Sequence, residues 1–521
     1  MSNISEAGMG VKEWGTMATL LIGMSSQAGA FSAEDLHGVF DGQGNAFLTL
    51  HIVAGHYFTG EITGVQVLRM RDKNGQHWRT LLNDAPVDGP QMLRSTVPSG
   101  DIQHVTLQGP ARQNWHLRYQ QKPLNPLDKD QALIPLSPTL QAVTPANLAD
   151  FWLRTSREGT PLIEPFDTHH KRVTFLWRGA KKNVFLMGSP EGDHDPLFHL
   201  AGTDIWFRSY VVPDDTLMQY QLAPDIPQVP EGGREQRLAL LVTAQADPLN
   251  KQVALTDADD VFTRSSLLNL QHKTHCLLPP EGREPLKGSL RSVQFNSAIL
   301  GNLREITLYQ SPDATPDSTL LLVFDGKTYQ KKYRLHEAFE RLTARGDIAP
   351  LRIVFIDSLD GERRGRELPP NPAFSDFMAY ELIPWLQQQG FTSVANHTVI
   401  AGSSYGGLAS AWVAMRYPKI FGNVLSLSGS YWWAPEGEKP EWLIREYSAR
   451  HTLPLRFYLQ AGLFENKGEE GGILGNNIHL RDALREKGYE VVFRPYASGH
   501  DYAAWCEAMI DGVRHLQRGI N

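Results

Sequence analysis

The chain has 521 residues, of which 41% are hydrophobic and 21% are charged, and this composition is typical of a soluble protein of roughly two to four domains. Fifty basic residues against 57 acidic residues give a net charge of −7, which argues against a general nucleic-acid-binding surface. No apolar run reaches the roughly 18 residues that a transmembrane helix needs, so no membrane span is predicted.

The first 30 residues predict either an export signal or a disordered tail. Residues 16–24 form a short apolar run, and residues 28–30 (Ala-Gly-Ala) have the small-residue pattern of a signal-peptide cleavage site. Lys12 is the only basic residue before this run, and Glu6 and Glu13 offset its charge, whereas export signals favour a positive start. We expect export to the periplasm. The alternative is a cytoplasmic protein with a disordered or loosely helical tail.

Residues 31–120 predict a small β-sandwich. Short strand-like runs such as 47–52 and 65–68 are separated by turn signals such as Asn74-Gly75. The order of strand, residues 53–58 and second strand resembles pre-peptidase C-terminal-type domains, which accompany secreted enzymes.

A linker and a second β-rich domain are predicted next. Residues 121–147 carry five prolines and little periodicity, which is typical of a linker. Within residues 148–260, the runs at 172–178, 183–187 and 238–242 are interpreted as strands of another sandwich.

Residues 288–521 predict a doubly wound α/β domain. Apolar runs alternate here with helix-like segments such as 374–389 and 405–417, and this alternation implies right-handed crossovers and a mostly parallel sheet. The predicted strands are residues 320–324, 351–356, 397–401, 424–427, 456–459 and 490–493.

The two cysteines, Cys276 and Cys506, rule out a disulfide framework and a cysteine-rich metal site. We predict two buried free thiols, because free cysteine is among the most buried residue types. A single disulfide between them is the alternative.

Residues 402–406 (GSSYG) fit the pattern G-x-S-x-G, with Ser404 at its centre. A predicted strand precedes the motif and a predicted helix follows it, which is the context of a nucleophile elbow. We therefore predict Ser404 as a catalytic nucleophile and the backbone N–H of Tyr405 as an oxyanion donor. The alternative is a structural Gly/Ser-rich turn.

A serine nucleophile needs a base, and in hydrolases with this elbow the acid and the histidine follow the serine. Of the four later histidines, His451 precedes its strand, and His479 and His515 lie in helix-like stretches. His500 lies in a loop after the predicted strand 490–493, so we predict it as the base.

Glu465 is the predicted acid that orients His500. It is the first carboxylate after the strand 456–459, in residues 461–466 (AGLFEN). Glu469, Glu470 and Asp501 are the other carboxylates nearby, and an exposed loop carboxylate is the alternative role for Glu465.

The region from about residue 150 to 515 resembles the enterochelin (enterobactin) esterase family, which hydrolyses ferric catecholate siderophores. The serine elbow and several further stretches in the same order carry this resemblance. They are residues 202–206 and 246–250, which are similar to the family's N-terminal domain, and residues 324–326, 356–357, 366–369, 428–433 and 499–501, which are similar to its catalytic domain.

The resemblance implies a β domain of the family type at 148–260, followed by an α/β-hydrolase catalytic domain. It also implies that Ser404 is the nucleophile, His500 the base and Glu465 the carboxylate. It implies a serine esterase that opens the trilactone of a catecholate siderophore, without a cofactor, since any iron belongs to the substrate. A broader carboxylesterase of the feruloyl or aryl-ester type is the alternative. A binding protein on a spent hydrolase scaffold is disfavoured because the triad is intact.

The resemblance also implies a second oxyanion donor in the loop after an early catalytic-domain strand. Here that donor is the backbone N–H of Gly326 or Lys327. A simple turn after the strand is the alternative.

A ferric catecholate is strongly anionic, so its site is expected to be basic. Arg363, Arg364 and Arg366 follow the predicted strand 351–356, at the edge where open α/β sheets bind ligands. Their guanidinium groups can also stack on catechol rings. The alternative is a solvated arginine cluster.

Trp432 and Trp433 are candidates for an aromatic wall of the same site. Two core tryptophans are the alternative. The predicted partner is thus a small siderophore, with no nucleic acid and no membrane span.

Overall fold

The computed structural model describes residues 34–518 with short gaps. The gaps are residues 53–54, 73, 98–101, 124–135, 192–193, 230–232, 253–259, 272–273 and 278–284. The predicted export signal or tail, residues 1–30, lies outside the described residues, as does much of the predicted linker.

Eight antiparallel strands form the first β-rich domain. They are β1 (Glu34–Val39), β2 (Asn45–Ile52), β3 (His56–Thr63), β4 (Val67–Asp72), β5 (His77–Leu82), β6 (Gln91–Val97), β7 (Ile102–Gln108) and β8 (Asn114–Pro123). Two sheets, ordered β1-β8-β3-β6 and β2-β7-β4-β5, share one apolar core. On β8, Trp115, Leu117 and Tyr119 are buried because alternate residues of a strand face the same side. The predicted sandwich is confirmed.

The second domain also consists of two four-stranded sheets, ordered β13-β14-β10-β9 and β12-β11-β15-β16. Its strands are β9 (Leu162–Pro165), β10 (His170–Arg178), β11 (Val184–Met187), β12 (Asp195–Pro196), β13 (Phe198–His199), β14 (Ile205–Pro213), β15 (Leu217–Pro224) and β16 (Ser266–Asn269). Three helices accompany them, namely α1 (Pro138–Gln141), α2 (Leu148–Glu158) and α3 (Gly233–Thr243). The short helix α1 lies within the stretch predicted as linker.

The prediction of a strand at 238–242 is wrong, because these residues lie within α3. A short apolar run has no period that separates a strand from a buried helix, and the leucines and alanine in it favour a helix. The side-chain hydroxyl of Thr243 donates to the carbonyl of Ala239 one turn earlier, at 2.7 Å.

The catalytic domain is built on an eight-stranded sheet, ordered β17-β18-β20-β19-β21-β22-β23-β24. Neighbouring strands from β20 to β24 pair in parallel, while β17 and β18 form an antiparallel edge. The strands are β17 (Ser289–Ser297), β18 (Asn302–Gln310), β19 (Thr319–Val323), β20 (Leu351–Ile356), β21 (Thr398–Ser403), β22 (Asn423–Leu427), β23 (Arg456–Gly462) and β24 (Glu490–Tyr496).

Helices cover both faces of this sheet, and an apolar core lies on each side. They are α4 (Leu335–Ala344), α5 (Gly361–Glu367), α6 (Pro372–Asp376), α7 (Ile383–Gln388), α8 (Tyr405–Arg416), α9 (Trp442–Ala449), α10 (Gly472–Glu486) and α11 (Tyr502–Arg518), with shorter helical turns at Thr328–Lys332, Phe377–Leu382, Ala395–His397 and Glu469–Gly471. The predicted doubly wound α/β domain is confirmed. None of the helices in the described residues has the length and apolar character to cross a membrane.

A disulfide joins Cys276 to Cys506, so the prediction of two free thiols is wrong. Cys276 follows the last strand of the second domain, and Cys506 lies on α11 at the end of the chain. The carboxylate of Glu507 accepts the backbone N–H groups of His275 and Cys276, at 2.6 and 2.8 Å, and so holds this segment against the helix. Two cysteines 230 positions apart carry no local sign of pairing, since only the tertiary fold brings them together.

Replacing both cysteines with serine is expected to lower the free energy of unfolding by about 3–5 kcal/mol, because the link closes a very long loop of the unfolded chain. Urea denaturation followed by tryptophan fluorescence measures this. The matched control is the parent protein in excess reductant, which should shift to the midpoint of the variant. Equal midpoints for the oxidised parent and the variant would show that the link does not stabilise the fold.

Candidate active site

Ser404 occupies a strained turn between β21 and α8, with φ 58° and ψ −121°. The turn is possible because glycines flank it. A Cβ on Gly402 would lie 2.6 Å from the carbonyl carbon of Gly406, and a Cβ on Gly407 would lie 3.0 Å from the Cα of Gly429. The strand, turn and helix therefore have the form of a nucleophile elbow, which exposes the serine hydroxyl at the carboxyl edge of the sheet.

A hydrogen bond joins the side chains of Glu465 and His500 at the same edge of the sheet. The Nδ1 atom of His500 lies 2.5 Å from Oε1 of Glu465. Ser404, Glu465 and His500 follow β21, β23 and β24 respectively, and the carboxyl ends of parallel strands meet on one side of a sheet. Because the carboxylate engages Nδ1, it leaves Nε2 as the basic nitrogen of the imidazole.

The Glu465 carboxylate is almost fully buried, with 3% of its side chain exposed. Its Oε2 atom accepts two hydrogen bonds, one from the hydroxyl of Ser428 and one from the backbone N–H of Gly462, each at 2.6 Å. The indole N–H of Trp505 donates to the Ser428 hydroxyl at 2.9 Å, and the His500 ring packs edge-on against the Trp505 ring, with centroids 4.6 Å apart. This network fixes the orientation of the imidazole.

Ser404 itself makes a different contact. Its Oγ lies 3.3 Å from the hydroxyl of Ser430. Within the described part of the chain no hydrogen bond joins Ser404 to His500, whose side chain is 39% exposed. Catalytic hydrogen bonds of hydrolases are often long without substrate and shorten once it binds.

Of the predicted oxyanion donors, Tyr405 lies in the elbow, and Gly326 and Lys327 lie in the loop after β19. Tyr405 begins α8, and the first N–H groups of a helix have no acceptor within the helix. Gly326 packs so closely on β20 that a Cβ would lie 2.5 Å from the backbone nitrogen of Ile356. Asp325 precedes it with a φ of 54°, and Lys327 leads into the helical turn Thr328–Lys332.

Arg364 binds the loop that carries Gly326 and Lys327. Its guanidinium forms two parallel hydrogen bonds to the Asp325 carboxylate, at 2.7 and 2.8 Å. Burial alone would lower the pKa of Arg364, but the Asp325 carboxylate outweighs this and holds the pKa above its usual value. Arg364 therefore stays charged. The negative charge of Asp325 offsets most of the positive charge that Arg364 would present to a ligand.

The other predicted substrate cations differ in their exposure. Arg366 is 65% exposed and pairs with Glu362 on α5, as expected of a solvated cluster. Arg363 donates to Asp88 of the first domain at 2.7 Å. Arg363 thus lies at the boundary between two domains, whereas Arg366 faces solvent.

Of the two predicted wall tryptophans, only Trp432 is prominently exposed. It is 44% exposed, and its ring centroid lies 6.0 Å from that of Tyr405 beside the elbow. Trp433 packs on the domain core and lies edge-on to Trp442. Trp432 is thus placed to contact a ligand, whereas Trp433 has a packing role.

The second domain contacts both loops that carry the Glu465–His500 pair. The backbone N–H of Leu217 donates to the carbonyl of Ala497 at 3.0 Å, three residues before His500. Phe464, next to Glu465, packs into the core of the second domain. This domain therefore supports the site from one side.

Three contributors to the site were not assigned from the sequence, namely Ser428, Ser430 and Trp505. Ser428 and Ser430 lie in residues 428–433, which resemble the family's catalytic domain, so that stretch was the available signal. Trp505 had none, because it reaches Ser428 from 77 residues away.

Asp501, an alternative acid in the sequence, caps α11. Its Oδ1 atom accepts the backbone N–H groups of Ala503 and Ala504, at 3.0 and 3.2 Å. Burial raises the pKa of Asp501 to about 7. The folded protein therefore favours its protonated form, and the resulting stability is complete below the ordinary aspartate pKa near 4 and is lost as the pH rises to about 7.

Asp501→Asn is expected to remove this dependence and to keep the cap, since asparagine also caps helices well. Between pH 5 and pH 8 the parent should lose roughly 3 kcal/mol more stability than the variant. Urea midpoints at the two pH values measure the difference. Parallel pH profiles for the two proteins would contradict it.

Across the described residues, no group of three histidine, cysteine, aspartate or glutamate side chains is placed to hold a metal ion. What the arrangement can do chemically is acyl transfer by a serine hydroxyl, assisted by a carboxylate-oriented imidazole.

Two family models match the chain in the order of its last two domains. A model described as "Enterochelin esterase, N-terminal" matches residues 172–273, and one described as "Putative esterase" matches residues 297–516. The first β-sandwich lies outside both matches.

Similar proteins agree with these matches. The iron(III) enterobactin esterase of Dickeya dadantii is 32% identical, over 73% of this chain and 95% of that protein. The iron(III) salmochelin esterase of Escherichia coli is 29% identical, over 76% of this chain and 100% of that protein. A crystal structure of the enterobactin esterase from Shigella flexneri, in the presence of enterobactin, covers 71% of this chain and 98% of that one, with a TM-score of 0.58 and 25% identity. The chain is a carboxylic ester hydrolase and belongs to the enterochelin (enterobactin) esterase family.

Proposed function

We propose that this protein is a serine esterase that hydrolyses the trilactone ester bonds of a catecholate siderophore, such as enterobactin or its ferric complex, and so helps to release iron. The observation that carries the proposal is the bonded Glu465–His500 pair at the sheet edge that also bears the Ser404 elbow. The names of the relatives supply the substrate class.

The reaction proceeds in two steps. Ser404 Oγ attacks an ester carbonyl of the trilactone while Nε2 of His500 takes its proton, and backbone N–H groups near Tyr405 and Gly326 bind the oxyanion. The tetrahedral intermediate collapses with cleavage of the ester C–O bond, and His500 gives its proton to the departing seryl oxygen, which becomes a hydroxyl. Water activated by His500 then cleaves the acyl-enzyme and leaves a free carboxylate and the restored serine. Iron takes part only as a component of the substrate.

A comparison of substrates tests this proposal. We expect kcat/KM for enterobactin to exceed that for methyl ferulate and p-nitrophenyl butyrate by a factor on the order of 10², because only the trilactone uses the whole site. Liquid chromatography of the siderophore products and absorbance of the aryl products measure the rates. Equal or better turnover of the aryl esters would replace the proposal with a broader carboxylesterase.

We also propose that the protein works in the periplasm. The signal-like pattern of residues 16–30 supports export, and so does the Cys276–Cys506 disulfide, since disulfides persist in oxidising compartments. Cell fractionation combined with thiol alkylation tests this. We expect periplasmic protein whose two cysteines react only after reduction, and cytoplasmic protein with reactive thiols would contradict it.

A further inference from the structure

The loop that joins β5 to β6 in the first sandwich reaches the catalytic domain. We name residues 83–90 the acidic loop, because Asp84 and Asp88 are its charged residues. The Asp84 carboxylate lies 3.0 Å from Nζ of Lys327, and the Asp88 carboxylate accepts a hydrogen bond from Arg363 at 2.7 Å. Two ion pairs therefore link the first domain to the catalytic domain.

The two cations lie beside the chemical centre. Lys327 directly follows Gly326 in the predicted oxyanion loop, and Arg363 precedes Arg364, whose guanidinium grips Asp325 in that same loop. Each cation is thus one residue away from a member of this loop or from the arginine bound to it, so its charge acts on a substrate that binds at the loop.

Each cation also has a carboxylate partner within its own domain. Asp357 lies 3.3 Å from the Lys327 ammonium, and Asp360 lies 3.7 Å from the Arg363 guanidinium. With the acidic loop in place, Lys327 and Arg363 each face two carboxylates. The positive charge that they offer to an anionic ligand is thus more than balanced.

Contacts between β5 and the second domain fix the strand that leads into the acidic loop. The backbone N–H of Thr80 donates to Asp260 at 2.6 Å, and the guanidinium of Arg79 donates to the carbonyl of Val242 at 2.9 Å. The backbone N–H of Ala85, inside the loop, donates to the carbonyl of Gln66 at 2.9 Å. The loop is therefore held where its two carboxylates meet Lys327 and Arg363.

We propose that Asp84 and Asp88 set the charge specificity of the esterase by weakening its binding of strongly anionic substrates. This inference rests on the proposed function. Three deprotonated catecholates give a ferric complex a large negative charge, whereas the iron-free trilactone keeps its catechol protons at neutral pH. Like charges across a binding surface act against association, so the acidic loop disfavours the ferric form more than the iron-free form.

The test compares the parent with the double variant Asp84→Asn and Asp88→Asn. Asparagine keeps a side-chain oxygen for Lys327 and Arg363 and removes only the charge. KM for ferric enterobactin is expected to fall about fivefold at low salt, while KM for iron-free enterobactin changes less than about twofold. The control is Glu61→Gln on β3, which removes one negative charge from the same domain, as each of the two Asp→Asn substitutions does, at a position that pairs with neither cation.

A second pair of substrates separates this inference from the proposed function. In the double variant, KM for the anionic mono-p-nitrophenyl succinate should fall as it does for the ferric complex, and KM for the neutral p-nitrophenyl acetate should stay unchanged. If the parent cleaves the aryl esters alone, the proposed function fails, and this pair still decides the role of the acidic loop. Equal shifts for charged and neutral substrates, no shift, or the same shift in Glu61→Gln would overturn the inference.

Discussion

Ser404→Ala is expected to lower kcat/KM for enterobactin by a factor of about 10⁴–10⁶. The substitution removes the nucleophile and leaves the backbone donors and the substrate contacts, which retain only a modest acceleration over water. Steady-state rates with the trilactone measure the loss. KM or ligand binding should change little, since the hydroxyl takes part in the chemical step.

Ser430→Ala is the matched control for this substitution, because the Ser430 hydroxyl lies 3.3 Å from that of Ser404. It is expected to cost about tenfold in kcat/KM, as the loss of one neighbouring hydrogen bond does. If Ser430→Ala abolished activity while Ser404→Ala kept it, Ser430 would be the nucleophile instead of Ser404.

Glu465→Gln is expected to lower kcat by about 10³–10⁴. The amide preserves the shape of the side chain but can no longer stabilise the imidazolium that forms when His500 takes the serine proton, and it favours the wrong imidazole tautomer.

Ser428→Ala serves as the comparison for Glu465→Gln. It removes one of the two hydrogen bonds to Oε2 of Glu465 and leaves the bond to His500 in place. A loss of about tenfold is expected. If Glu465→Gln kept a normal kcat and Asp501→Asn lost it, Asp501 would be the acid instead of Glu465.

The elbow could be predicted because its chemistry is local. Gly402 allows a close approach of its backbone to that of Gly406, and a strand and a helix with clear patterns flank the serine. His500 followed from chain order and from its place after a strand. Glu465 followed from the same argument, since the first carboxylate past β23 lies at the edge where parallel strands end.

Features that depend on distant contacts could not be predicted in this way. Cys276 and Cys506 meet across 230 positions, and Ser428 meets Trp505 across 77. The pairing of Arg363 with Asp88 joins residues 275 positions apart in separate domains, so the sequence shows a basic cluster and an acidic loop without their contact. The strand predicted at 238–242 failed for a different reason, because a short apolar run lacks a period.

Product analysis of enterobactin with the parent and with Ser404→Ala tests the central claim most directly. With ferric and iron-free trilactone, the parent should form linear trimer, dimer or monomer of dihydroxybenzoylserine, and the variant should leave the ring intact. An intact trilactone with both proteins, while the parent still hydrolyses p-nitrophenyl esters, would keep the serine esterase and contradict its assignment to siderophores.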